Sequence, residues 1–151
     1  MVGSFTLDLQ KFVAKAGARA DAAVGEVVRA LALKVDERSP VGDPIYWKGP
    51  APKGYVGGHF RGNWQLGIGA LPAGIVPGVD PDGGRTRAEI AAAIPEQAAG
   101  NVYYLANNVP YALRIEHGWS RQAPAGVVGI TVTEFDTRIS EAVAKAKAVH
   151  P

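Results

Sequence analysis

Glu116, His117 and Ser120 stand close together in the chain, and a carboxylate, an imidazole and a hydroxyl are the groups from which a hydrolytic triad is assembled. Ser39, Asp43 and His59 supply a second possible set. The local pattern argues against both. Adjacent residues on a helix point in different directions, and neither serine sits in the Gly-x-Ser-x-Gly turn that exposes a nucleophile. The simpler expectation is that Glu116 accepts hydrogen bonds at a turn and that His117 is a surface residue near a helix end. Metal chemistry would need His59, His117 and His150, no two of which have the close spacing of a zinc motif, and cysteine is absent. Gly54, Gly57, Gly58 and Gly62 lack the following Lys-Ser or Lys-Thr of a phosphate loop. The chain is therefore expected to hold no metal or cofactor and not to be an enzyme.

Two basic groups invite a nucleic-acid reading. Lys11, Lys15 and Arg19 fall on one side of a helical pattern, and Lys48 and Lys53, with His59 and Arg61, add a basic loop. Such residues can hold phosphates without reading sequence. The balance of 16 Lys and Arg against 14 Asp and Glu is close to neutral, which favours a solvated face for the helix row. Arg61 is read differently: beside a strand start, its guanidinium is expected to pair with Glu116 or with a neighbouring subunit's carboxylate. Of the tryptophans, Trp64 opens an apolar strand face and belongs to the core. Trp119, among Gly118, Ser120 and Arg121, is the best interface candidate, followed by Trp47 and Tyr55.

The elements that must position these residues follow from periodicity. Phe5, Leu9, Phe12, Ala16, Ala20, Val24, Val27, Leu31 and Val35 recur every three or four positions, which predicts a long helix over residues 1–38. Gly17 and Gly25 could bend it, and its length exceeds what a core of this size can cover. Ser39-Pro40 ends it, because proline lacks an amide donor and biases the residue before it away from helix. Residues 39–63 read as a Gly- and Pro-rich loop. Residues 64–151 carry a strand at Trp64–Leu71, a helix from Thr86 to about Ala93 with Thr86 and Glu89 as a capping box, and a strand at Asn101–Ala106 turned by Asn107-Asn108. A short helix at Pro110–His117 is capped by Gly118. Val128, Val132, Phe135, Ile139 and Val143 keep helical spacing to the C-terminal side, with a strand start at Val128–Val132 as the alternative. The expected whole is one α+β domain, with a long N-terminal helix, a small antiparallel sheet, short helices and a C-terminal helix packed on the sheet. Glycine and proline, 19 and 11 residues, gather in long loops, as they do in proteins that work by contact. The first ten residues lack the pattern of a signal peptide, and no run is apolar enough to span a membrane.

Three stretches together resemble the neck and tail-component family of siphoviral phages. They are Ser39-Pro40-Val41 leading after a loop to Gly58-His59-Phe60-Arg61-Gly62-Asn63-Trp64; Val102 to Ala112 continuing through Ile115-Glu116-His117-Gly118; and Trp119-Ser120-Arg121-Gln122-Ala123-Pro124-Ala125-Gly126. Where the family carries Asp-Thr-Gly this chain has Gly42-Asp43-Pro44, followed by what looks like an insertion over residues 45–57. The resemblance implies a virion protein assembled in the host cytoplasm, a homo-oligomeric ring at the head–tail junction that touches connector or adaptor and tail proteins and whose lumen gives access to DNA. The residues expected at subunit interfaces are Trp47, Tyr55, Arg61, Tyr111, Glu116, Trp119 and Gln122. The resemblance also predicts that Pro40, Arg61, Glu116 and Gln122 lie near one another. A nucleic-acid-binding accessory protein and a small hydrolase are the alternative readings.

Overall fold

In a computed structural model of the chain, the backbone is described for residues 2–46 and 48–151, and side chains for 14–45, 48–135, 137 and 139–151. The architecture is α+β. Helix α1 spans Val2–Arg38, strand β1 Trp64–Ile68, helix α2 Gly84–Ala93, strand β2 Tyr103–Asn107, and helices α3, α4 and α5 span Ala112–Glu116, Val128–Thr133 and Phe135–Val149. Short 3-10 turns occupy Pro44–Tyr46 and Arg61–Asn63 within the connecting loop.

Helix α1 passes Gly17 and Gly25 without interruption; a Cβ at Gly25 would make only ordinary contacts with Ile94 and Ala98. Its apolar stripe is buried or half-buried from Val24 to Val35, whereas Ala14, Lys15, Ala16 and Gly17 are exposed. The stop before Pro40 is built into the core. Ser39 donates its hydroxyl to Val35 O at 2.7 Å and accepts the indole N–H of Trp64 at 2.7 Å, so the helix end and the start of β1 share one buried polar atom.

The two strands pair antiparallel, with Trp64 opposite Asn107 and Ile68 opposite Tyr103. Both are shorter than their periodicity predicts: β1 ends at Ile68 because Gly69 turns at φ +75°, and β2 begins at Tyr103. The core gathers Ala32, Val35, Phe60, Trp64, Ile90, Val109, Ile115, Ala123 and Val127.

Two expectations about helices are corrected. Thr86 does not form a capping box with Glu89. Asp80 reaches across the turn and accepts both the Thr86 N–H (2.8 Å) and its hydroxyl (2.6 Å), while Glu89 pairs with Arg85. The C-terminal segment is helical, with a break at Glu134, but α5 packs chiefly along α1 rather than on the sheet. Ala142 and Ala146 are buried in that contact; Val128, Val132, Phe135 and Val143 face outward. Small side chains let two helices approach closely, and that contact, not the larger apolar stripe, decides which face turns inward.

Candidate interaction surface

Two sets of polar residues divide the work around the 39–63 loop. The first is buried. Asp36, with no exposed surface, receives Arg61 Nε at 3.3 Å and Nη2 at 3.2 Å, and Arg87 Nη1 at 2.8 Å, all on Oδ2. Burial pushes its pKa above the ordinary carboxylate value, against the pull of both guanidiniums. A Cβ at Gly83 would collide with this carboxylate, and Gly83 also adopts φ +74°, so glycine is required there twice over. Arg61 further donates to Pro81 O at 3.0 Å. The Asp80 carboxyl next door is raised by burial but lowered more by the Thr86 hydroxyl and backbone donors, and ends below its usual range.

Arg61 is therefore tied to Asp36, not to Glu116. The expected pairing fails because Glu116 is already filled: its carboxylate accepts the N–H groups of Val127 (2.9 Å), Val128 (2.8 Å) and Gly129 (2.8 Å), the free donors at the start of α4. Burial raises its pKa, but these three backbone donors outweigh that and hold it below the ordinary value. Glu116 thus acts as the acceptor at a turn that its place in the sequence suggests. Of the four residues expected to cluster, Pro40 and Gln122 line one groove, while Arg61 and Glu116 serve two separate networks.

That groove, about 450 Å³, lies between the loop after α1 and the segment after α3. Gln122 holds its two walls together: its amide accepts Val41 N–H at 2.9 Å and donates to Val41 O at 2.7 Å. Phe60 forms its floor, stacked edge-on to Trp64 at 5.6 Å and tilted against Tyr111 at 6.4 Å. Burial raises the Tyr111 hydroxyl pKa, and the neighbouring Tyr55 raises it further. Trp119 stands at the rim, 77% exposed, with the Arg114 guanidinium 5.7 Å from its ring centre. The rim is closely packed. Gly118 (φ +83°) lies against Pro124 and Gly126 (φ +79°) against Glu116, so backbone passes closely at both turns.

Tyr55, Tyr111, Trp119 and Gln122 are thus brought to one surface, and Arg61 and Glu116 are not. Trp47, and the side chain of Lys11, lie outside the described residues. Lys15, Lys48 and Lys53 are exposed, but Arg19 donates to His150 O and so joins α1 to the end of α5. The residues that sequence reasoning missed are Asp36, Asp80, Arg87 and Arg114. Asp80 carries a weak signal in its Asp-Pro-Asp-Gly-Gly turn; the others read as ordinary helix-surface charges.

The hydroxyls of Ser39 and Ser120 are engaged locally, the latter by the N–H of Gln122 at 3.2 Å, and His59 Nδ1 lies 3.0 Å from Gly78 O. Among the described residues no three of His, Asp or Glu gather as a metal site requires, and no helix is long and apolar enough to cross a membrane. Comparison with protein-family models, with curated proteins and with solved structures returns no match to this chain.

Proposed function

We propose that the protein is a structural subunit of a phage neck or tail-end ring, joining the DNA-filled head to the tail through contacts between copies and with neighbouring connector, adaptor and tail proteins. The observation that supports this most directly is the closely packed rim that presents Trp119 to solvent over an aromatic groove. A tryptophan held out on braced backbone gives contact area at little entropic cost on binding, which is what an interface anchor requires. The polar residues that look chemical in the sequence, Glu116 and Ser39, serve to brace loops and helix ends. This supports action by contact.

The test is complementation of a phage lacking the gene, read by electron microscopy. Wild-type protein restores joined particles. Trp119→Ala leaves filled heads and tails unjoined, and joined, infectious particles from a strain lacking the protein altogether would refute the reading.

A further inference from the structure

The arginines whose side chains are described fall into two groups. Arg29, Arg38, Arg61, Arg85 and Arg87 each pair with a carboxylate, and Arg19 binds a backbone carbonyl. Arg114 and Arg121 do neither among the described residues, and both line the groove beneath Trp119. Among the described side chains, five arginines have carboxylate partners, and two without one stand together at the mouth of the aromatic groove. One carboxylate, Asp43, shares the lining, but its Oδ1 already accepts the Ile45 N–H at 3.0 Å.

We infer that this groove binds an acidic peptide segment of a partner protein, in which an apolar side chain enters between Phe60, Tyr111 and Trp119 and flanking Asp or Glu residues meet Arg114 and Arg121. The inference rests on the contact role proposed above and names the chemistry of the contacting partner. Guanidiniums recognise carboxylates by two parallel N–H···O bonds, and both have donors to offer. Arg114 lies over the Trp119 ring, so an acid that engages it also fixes the indole that covers the apolar anchor. A volume of about 450 Å³ takes a few side chains, which suits a short linear segment rather than a folded surface. The groove favours peptide over a nucleic-acid strand. Its floor and one wall are apolar (Phe60, Ile115, Pro40), which suits an apolar side-chain anchor better than a phosphodiester backbone.

The experiment is selection of random twelve-residue peptides displayed on yeast against the full chain, with counter-selection against an Arg114→Ala/Arg121→Ala double variant. Selected peptides are then measured by fluorescence anisotropy. Circular dichroism of the double variant confirms folding, and Arg121→Lys, which keeps charge but loses the paired geometry, gives a second reading. The expected result is enrichment of an apolar residue flanked by Asp or Glu. Affinity should fall at least about ten-fold with the double variant, and similarly when the peptide acids are changed to Asn or Gln. Recovery of no peptide, recovery without acidic enrichment, or binding that survives loss of both arginines overturns the inference. So does a twelve-nucleotide single strand of DNA that binds more tightly than every selected peptide and displaces it; that outcome makes the groove a nucleic-acid site. If the peptide selection fails while Trp119→Ala still blocks head–tail joining, the acidic partner is wrong and the ring role stands. If neither holds, both fail.

Discussion

Trp64 and Trp119 are the same residue in opposite circumstances. Trp64 is 7% exposed, packed edge-on to Phe60, its N–H held by Ser39; Trp119 is 77% exposed, with an arginine over its ring. The arginines around them divide in the same way. Arg61 and Arg87 converge on a buried carboxylate, whereas Arg114 and Arg121 border the open groove without one. The hub around Asp36 fastens α1 to the turn before α2, whereas the rim around Trp119 leaves its indole exposed. Residue type does not separate the two regions; the partners that the fold brings to each residue do.

The difference is broken most severely at Trp64. Trp64→Ala removes a core side chain and leaves Ser39 without its buried donor, and should cost about 3–5 kcal/mol, read by chemical denaturation. Asp36→Ala comes next. It leaves two guanidiniums beside an empty buried site and should cost about 3 kcal/mol, whereas Asp36→Asn, which keeps the shape and an acceptor, should lose less. A loss below about 1 kcal/mol for Asp36→Ala would show that the hub is not what joins α1 to α2.

Glu116 gives a smaller effect that depends on pH. Its folded pKa lies below the ordinary value of 4.5, so its contribution is fully present above that value and is lost as pH falls through the lowered folded pKa. Glu116→Gln should cost about 1–2 kcal/mol near neutrality and flatten the acid limb of the stability profile. Asp36 acts with opposite sign. Its pKa is raised on folding, so the folded state takes up the proton first and the charge opposes folding at pH above that raised value. The acid limb of Asp36→Asn should therefore be steeper than that of wild type, the reverse of Glu116→Gln. Two variants shifting the limb in the same direction would contradict these assignments.

The smallest effects belong to the rim. Trp119→Ala and Arg121→Ala should each change the stability of the free protein by less than about 0.5 kcal/mol. Unfolding of either variant would move that residue from the presenting region to the core.

How much of this could be read in the sequence follows from the range of the interactions. The long first helix, the two strands and the Gly118 stop are local patterns, and all are present, the strands shorter than expected. Thr86 and Glu89 have the spacing of a capping box, yet Asp80 takes the donors because the Gly83 turn swings it onto the start of α2. The outward stripe of Val132, Phe135 and Val143 shows the same limit. Apolar periodicity marks that face as the inner one, but the contact with α1 is made by Ala142 and Ala146, whose small size hydrophobic weight does not register. In the groove, Trp119 was legible because Gly, Ser and Arg surround it with no period leading inward. Arg114 was not, because its lack of a carboxylate partner is a property of three-dimensional neighbours.

The central claim is that Trp64 holds the fold while Trp119 waits for a partner, and hydroxyl-radical footprinting of both tryptophans in the free protein and in assembled particles tests it most directly. The account predicts that Trp119 is readily oxidised in the free protein and protected about ten-fold or more in the particle, with Trp64 protected in both. Equal oxidation of Trp119 in the two states, or ready oxidation of Trp64 in the free protein, would contradict it.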